Sequence, residues 1–134
     1  MIDNIVVSGK RKTSVAKATI VEGNGNVTIN KRPITSLPHL KQLEISEPLV
    51  ISLDVLGKLN FDIFVSVKGG GNSSQIEASR LAIAKAIVKF TGNENLRSAL
   101  INYDRNLIVA DTRRKEVRKP GDSKARARRQ TSFR

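Results

Sequence analysis

The sequence predicts an α+β protein, with helices packed on a small, mainly antiparallel sheet and a long basic segment after it. Three observations lead to this class. Two β-prone runs flank an Asn-Gly pair, a later run alternates apolar and polar residues with the period of a strand, and a long amphipathic helical pattern follows that run. The length of 134 residues, of which 39% are hydrophobic, is enough for one modest core.

The first predicted element is a hairpin made by the runs SVAKATIVEG and VTIN, which flank Gly23-Asn24-Gly25-Asn26. Asparagine and glycine both accept positive φ, so an Asn-Gly pair between β-prone runs favours a tight turn. The pattern therefore predicts that these two runs are antiparallel neighbours.

A short helix is predicted next. Pro48 suits the first turn of a helix and Gly57 breaks the pattern, while the preceding run LKQLEIS is only weakly helical. Between them, apolar residues recur at helical spacing: Leu49, Leu53 and Leu56.

The run FDIFVSV is predicted to be a central strand because its side chains alternate between two faces. One face carries Phe61, Ile63, Val65 and Val67, and the other carries Asp62, Phe64 and Ser66.

A long helix is predicted from about Ser74, where Ser74 and Glu77 have the spacing of a capping box, to Gly92, a suitable C-terminal stop. Its broad apolar face is expected to cover the sheet and contains Ile76, Leu81, Ile83, Ala84, Ile87 and Val88. The run ENLRSALIN predicts one more short helix.

Charge is concentrated at the end of the chain. The protein carries a formal charge of +12; residues 1–110 contribute +5 and residues 111–134 contribute +7. This basic balance predicts a polyanionic partner. The last 24 residues have Val117 and Phe133 as their only large apolar side chains, so we expect them to be disordered without a partner. At about 3.3 Å per residue they can reach roughly 80 Å; the alternative is a solvated solubility tail.

Several classes of function find no support in the sequence. Cysteine is absent, and the single histidine, His39, has no acidic residue close to it in sequence. No spacing indicates a metal site, a cofactor or a small-molecule substrate, so we do not expect an enzyme. No segment approaches the roughly 20 apolar residues that span a bilayer, and the N-terminus lacks the order of a signal peptide, which predicts a cytosolic protein.

Two short motifs are candidates for phosphate contact. GKRKTS lacks the first glycine and the hydroxyl residue of a phosphate-binding loop, so Lys10, Arg11 and Lys12 are expected in an open turn that contacts phosphates or is merely solvated. The glycines Gly69, Gly70 and Gly71 precede a predicted helix, where a backbone can approach a phosphate closely. These glycines equally suit a simple turn from strand to helix.

Five ordered blocks carry a family resemblance: GKRKTSVAKATI, FDIFVSVKGGG, QIEASRLAIAKAIVKF, YDRNLIVADTRRKEVRKPG and KARARRQTSFR. Together they resemble the universal ninth protein of the small ribosomal subunit over nearly the whole chain. The short final segment ending in Ser-Phe-Arg is similar to the archaeal and eukaryotic branch.

The resemblance implies a body of residues 1–110 and a tail of residues 111–134 that RNA orders. It implies a four-stranded sheet backed by helices, like the second domain of the fifth small-subunit protein. The body would bind ribosomal RNA in the subunit head, beside other head proteins. The tail would thread through RNA to the peptidyl site and contact the anticodon stem-loop of tRNA.

Residue by residue, the resemblance assigns ribosomal RNA contacts to Lys10, Arg11 and Lys12 and to the tail residues Arg113, Arg114, Lys119, Lys124, Arg126, Arg128 and Arg129. The tRNA-proximal tip would be Ser132, Phe133 and Arg134, and any added residue is expected to impair it. This chain has Ser74 where the family often has glycine, so Gly69 to Gly71 are contact candidates only.

Two alternatives remain open at this point. The same fold occurs in the protein subunit of an RNA-processing enzyme, ribonuclease P, which would act through the surface of its body. A chromatin-type DNA binder would sediment with DNA instead of ribosomal subunits.

Overall fold

The computed structural model describes residues 4–133. Its strands are β1 (Ile5–Arg11), β2 (Ser14–Glu22), β3 (Val27–Ile29), β4 (Arg32–Pro33) and β5 (Phe61–Lys68). Its α-helices are α1 (His39–Leu56), α2 (Asn72–Thr91) and α3 (Glu94–Tyr103), and single 3-10 turns lie at Ile34–Ser36 and Arg105–Leu107.

The strands form one sheet in the order β1-β2-β5-β3-β4. Three pairings are antiparallel and one, between β3 and β5, is parallel. The predicted α+β class is therefore confirmed, as is the central position of β5. The sheet has five strands where the resemblance implied four, and the smallest is the two-residue β4.

The predicted hairpin across Gly23–Asn26 is wrong, because β5 lies between β2 and β3. The loop is held by β5 itself. Oδ1 of Asp62 accepts hydrogen bonds from the backbone N–H groups of Asn24 and Asn26, and each nitrogen-to-oxygen distance is 2.9 Å. The Asn-Gly sequence therefore carries the chain across the start of β5.

The hairpin that does form joins β1 and β2, with Arg11 opposite Ser14 and a turn at Lys12–Thr13. Lys12 adopts a left-handed conformation, with φ of 53°. The sequence did not predict β1, since its apolar residues do not follow one face: Val6 points to solvent and Gly9 points to the core.

Helix α1 begins at His39, not at the predicted Pro48, which lies buried inside it. Proline removes one helical hydrogen bond. Packing of α1 against α2 and α3 buries Ile45, Pro48 and Ser52, and this burial offsets the local loss. The predicted end at Gly57 is confirmed.

Helix α2 begins two residues before the predicted start, with Gly71 as its N-cap and no side-chain cap. The predicted capping box is therefore wrong: Ser74 lies in the first turn, and Glu77 pairs with Arg11 instead. The predicted stop at Gly92 is confirmed, with φ of 62°. Helix α3 is also confirmed, and the side chain of Asn93 caps it.

The core lies between α2 and one face of the sheet. Helix α2 packs across β1, β2 and β5, while α1 and α3 pack on α2. The strand residues that point toward α2 are buried, among them Ala16, Ala18, Ile20, Ile63 and Val65. The predicted inward face of β5 is confirmed. The other face of the sheet carries no helix among residues 4–133.

Replacing Gly9 with alanine is expected to destabilise the fold. A Cβ atom there would lie 2.6 Å from the carbonyl oxygen of Ala78 and 2.8 Å from the backbone nitrogen of Ala82, and these backbone atoms of α2 cannot move independently. We expect Gly9→Ala to lower the free energy of unfolding by about 1–3 kcal/mol, as overpacking does. Urea unfolding measures it, with Ser8→Ala on the exposed side as control. Equal midpoints for both variants would contradict the close packing.

Candidate nucleic-acid interface

Three segments that are distant in sequence meet at one end of the sheet: the β1–β2 turn, the β5–α2 turn and the chain after Ala110. The first and third line one shallow depression with Arg11, Lys12, Thr13, Arg113, Arg114 and Lys115. The second adjoins them, because Gly69 lies against the carbonyl group of Thr13. We call the exposed cations Lys12, Arg113, Arg114 and Lys115 the basic patch.

Arg11 lies beneath the basic patch and only 15% of its side chain is exposed. Its Nε donates to Oε2 of Glu77 over 2.6 Å, and its Nη2 lies 3.5 Å from Oδ2 of Asp111. This guanidinium therefore joins β1, α2 and the C-terminal segment. Its predicted contact with RNA stays a prediction, and the geometry gives it a positioning role within the chain.

Asp111 anchors the start of the C-terminal segment. Its carboxylate accepts hydrogen bonds from the guanidinium of Arg113, the shortest over 2.7 Å, and from the backbone N–H of the same residue over 3.0 Å. These bonds, helped by the charge of Arg11, hold the pKa of Asp111 well below its usual range. The same pairing raises the pKa of Arg113. The anchor is therefore ionised throughout the physiological pH range.

Lys10 differs from its neighbour Lys12 in its surroundings. Lys10 is exposed at the sheet edge and lines a depression in which acidic residues outnumber basic ones. That depression contains Glu44, Glu47, Glu77, Asp104 and Asp111. Several of these carboxylates are already paired with Arg11, Arg80 or Arg113. Lys10 and Lys12 therefore differ in their surroundings, and the predicted RNA contact of each stays a prediction.

The three glycines are explained by the turn that they form. Gly69 and Gly70 have φ of 82° and 65°, which favours glycine, and the side chain of Ser14 lies where a Cβ of Gly70 would be. The carbonyl of Gly69 accepts hydrogen bonds from Oγ of Ser14 and from Nε2 of Gln75. Gly71 faces open space. RNA contact at these glycines stays a prediction.

The C-terminal segment has no helix or strand between residues 111 and 133. Two turns are closed by backbone hydrogen bonds, from Asp122 to Lys119 and from Ala127 to Lys124. Arg126 pairs with Glu116 and Arg129 pairs with Asp122, each over 2.9 Å. The remaining predicted contact residues of this segment, Arg128, Ser132 and Phe133, are exposed; Arg134 lies outside the described residues.

Sequence reasoning missed Lys115, Asp111 and Arg80. Lys115 belongs to the same basic run as Arg114. Asp111 stands two residues before Arg113, the spacing at which an aspartate side chain accepts from a backbone N–H, and this signal was present in the sequence. Arg80 of α2 joins Glu47 of α1 to Asp104, the residue that follows α3, a contact that no local pattern indicates.

Other kinds of site are not found in the part of the chain that the structure describes. Within residues 4–133, no cluster of histidine and acidic side chains can hold a metal ion. No helix in the same range has the length and apolar character to cross a bilayer.

An α+β body with a cluster of exposed cations at the root of a cationic segment has the charge distribution typical of a nucleic-acid-binding protein. The chain belongs to the family described as ribosomal protein S9/S16, whose model matches residues 9–134. The family resemblance in the sequence is thereby confirmed.

Archaeal relatives agree with this assignment. The small ribosomal subunit protein uS9 of Methanococcus vannielii is 44% identical over 129 residues, which cover 94% of this chain and 95% of the relative. The proteins of the same name from two strains of Methanococcus maripaludis, S2 and C7, are each 43% identical with the same coverage.

The protein is therefore a structural constituent of the small ribosomal subunit and takes part in translation in the cytoplasm. The family is not enzymatic, so family membership excludes the alternative of an enzyme subunit. The alternative of a chromatin-type DNA binder is set aside because the chain belongs to a ribosomal protein family.

Replacing Asp111 with asparagine is expected to free the start of the C-terminal segment. The amide keeps the size of the carboxylate but loses the charge that holds Arg11 and Arg113. We expect lower {1H}-15N NOE values for residues 112–115 and an unchanged core spectrum. Asp122→Asn, which removes only a pair within the segment, is the control. Equal values for residues 112–115 in the parent chain and Asp111→Asn would show that the carboxylate does not anchor them.

The anchor is also expected to be insensitive to pH between about 5 and 8. An ordinary aspartate titrates near pH 4, and a lowered pKa means that the stabilisation is fully present above that value and is lost only as the pH falls through the lower one. The same NOE values, measured across the range, check this. A loss of order of residues 112–115 between pH 5 and 6 would contradict it.

Proposed function

We propose that this chain binds ribosomal RNA in the head of the small subunit through its basic patch, beside other head proteins. Its residues 1–110 form the body, and residues 111–134 form a tail that RNA orders. The tail runs to the peptidyl site, where its last residues contact the anticodon stem-loop of tRNA.

The observation that carries the proposal is the continuity of the basic patch with the tail. Lys12 comes from the β1–β2 turn, whereas Arg113 to Lys115 begin the tail, and all of them line one depression. Anchoring by Asp111 fixes where the tail leaves the body. An RNA bound at the basic patch is therefore next to the first residues of the tail.

The tail's own ion pairs favour exchange for RNA phosphates. Each of its three acidic residues pairs with an arginine of the tail: Asp111 with Arg113, Glu116 with Arg126 and Asp122 with Arg129. The arginines of the last two pairs are more than 80% exposed, and exposed pairs contribute only about 0–1 kcal/mol. Phosphates bound bidentately replace such contacts readily, so RNA can order this segment.

The tip of the tail has a side chain suited to a base. Phe133 is 92% exposed, and nothing in the described part of the chain covers its ring. An aromatic face stacks on any base, with a contribution of about 1–3 kcal/mol per base. This suits a contact that must accept many different tRNAs.

A photo-crosslinking residue at Phe133, placed in cells, tests the tRNA contact. After the particles are isolated and the attached RNA is sequenced, we expect anticodon stem-loops and the nearby small-subunit ribosomal RNA. The same residue at Val117, which is 86% exposed but lies early in the tail, is the control and is expected to attach to ribosomal RNA alone. Attachment of Phe133 to unrelated RNA or DNA would contradict the proposal.

Removing cations of the basic patch is expected to weaken RNA binding and to reduce its salt dependence. Each lost phosphate contact lowers the slope of log K against log salt by about 0.7 on single-stranded RNA. We therefore expect the combined variant Lys12→Ala, Arg113→Ala and Arg114→Ala to lower the slope by about 2, measured with transcribed small-subunit ribosomal RNA.

The matched control removes three exposed cations that lie away from the basic patch: Lys58→Ala, Lys89→Ala and Arg97→Ala. It has the same net charge as the test variant, so a general loss of charge affects both equally. If the two triple variants bind RNA with the same affinity and slope, the basic patch is not a binding site.

A further inference from the structure

The face of the sheet that points away from α2 is not covered by any element of residues 4–133. We call it the open face. It carries a half-exposed aromatic ring in the central strand, Phe64, together with Val6 on the edge strand β1; they are 49% and 55% exposed. Polar side chains surround them, among them Lys17, Thr19, Thr28, Lys31, Ser66 and Lys68, and the half-buried Val15 lines the same face.

The strand register arranges these side chains in rows. Phe64 lies between Thr19 on β2 and Thr28 on β3. The next row toward the β1–β2 turn pairs Lys17 with Ser66, and the row after that contains Lys68. Adjacent strands are about 4.8 Å apart and same-face residues along a strand about 7 Å apart, so the ring and these lysines lie within reach of one short ligand.

The positive charges of the open face are not paired with carboxylates of the described residues. Lys17, Lys31 and Lys68 have no ion pair among the described residues. The acidic residue at its margin, Asp62, already accepts two backbone hydrogen bonds from the Gly23–Asn26 loop. On the helical side, by contrast, Arg11 and Arg80 are both paired with carboxylates.

These features favour RNA over a protein partner. Lysine is depleted in protein interfaces, and the exposed large apolar side chains of the open face are Phe64 and Val6, with the half-buried Val15 and Val21 beside them. An exposed aromatic ring among hydroxyl and lysine side chains has the composition of a surface that stacks an unpaired base and neutralises its phosphates. A regular duplex offers no free base face to such a ring.

We propose that the open face is a second RNA-binding surface, which takes a stretch of ribosomal RNA with unpaired bases. One base stacks on Phe64, and Lys17, Lys31 and Lys68 contact the flanking phosphates. The surface continues from the basic patch, since Lys68 directly precedes the Gly69 turn that lies against Thr13. This inference rests on the proposal that the chain binds ribosomal RNA, but it does not depend on the tail or on tRNA.

Binding of the full-length chain to two probes tests the surface: a 12-nucleotide oligouridine and a 12-base-pair RNA duplex, each titrated at several salt concentrations. We expect Phe64→Ala to weaken binding to oligouridine about tenfold, with an unchanged salt slope and unchanged duplex binding, because stacking releases no counterions. Phe64→Tyr, which keeps an aromatic face, is expected to bind as the parent does. Val50→Ala, which removes a comparably exposed apolar side chain from α1 on the helical side, is the control for lost apolar surface.

The lysines are tested separately with Lys17→Ala combined with Lys68→Ala. Loss of two phosphate contacts is expected to lower the salt slope on oligouridine by about 1.4. If Phe64→Ala binds oligouridine as the parent does, or weakens both probes equally, the open face is not a surface for unpaired bases. If the open-face variants bind RNA as the parent does while the basic-patch triple variant binds it more weakly, only this inference fails. If neither set of variants changes RNA binding, RNA binding at the basic patch fails as well.

A photo-crosslinking residue at Ser66 in cells identifies the occupant directly. Attachment to small-subunit ribosomal RNA supports the inference, and Phe64→Ala in the same chain is expected to reduce the yield. Attachment to a ribosomal protein instead would overturn it.

Discussion

The packing of α2 across the sheet is the contact on which the rest of the structure depends. Its small residues approach the backbone of β1 at Gly9, and its large ones fill the space above β2 and β5. Because α1 and α3 pack mainly on α2 and on each other, the helical cover lies on the side of the sheet that α2 occupies. The same contact brings Glu77 to Arg11 and so connects the core with the place where the C-terminal segment begins.

Local periodicity decided which elements could be predicted from the sequence. Strand β5 and helix α2 have strong alternating and helical patterns, and both exist where they were predicted, apart from the first turn and the cap of α2. Local periodicity did not predict which strands are neighbours. Strand β5 lies between β2 and β3, and the Gly23–Asn26 loop crosses it because Asp62 holds that loop through contacts between residues 36 or more apart in sequence. In the candidate site, the charges were visible in the sequence, but only the fold shows that Arg11 faces inward and Lys12 faces solvent.

Two arginines of the body have a task that its lysines do not share. The planar guanidinium groups of Arg11 and Arg80 each contact two carboxylates from different elements and hold those elements together. The lysines of the turns and of the open face have no such partners among the described residues and remain at the surface. Cohesion between the elements is thus assigned to Arg11 and Arg80, and exposed positive charge to the lysines, so a change in one need not disturb the other.

The anchor at Asp111 has a consequence for binding strength. Under the proposed function, a tail fixed at the edge of the basic patch would make the chain a bivalent ligand, in which engagement of the patch turns the tail's encounter with RNA into an intramolecular event. The effective concentration of the tail near its target is then set by its length and its fixed origin, and no longer by the amount of protein in the cell. Individually weak, exposed contacts along a segment without secondary structure can in this way add up to a lasting attachment.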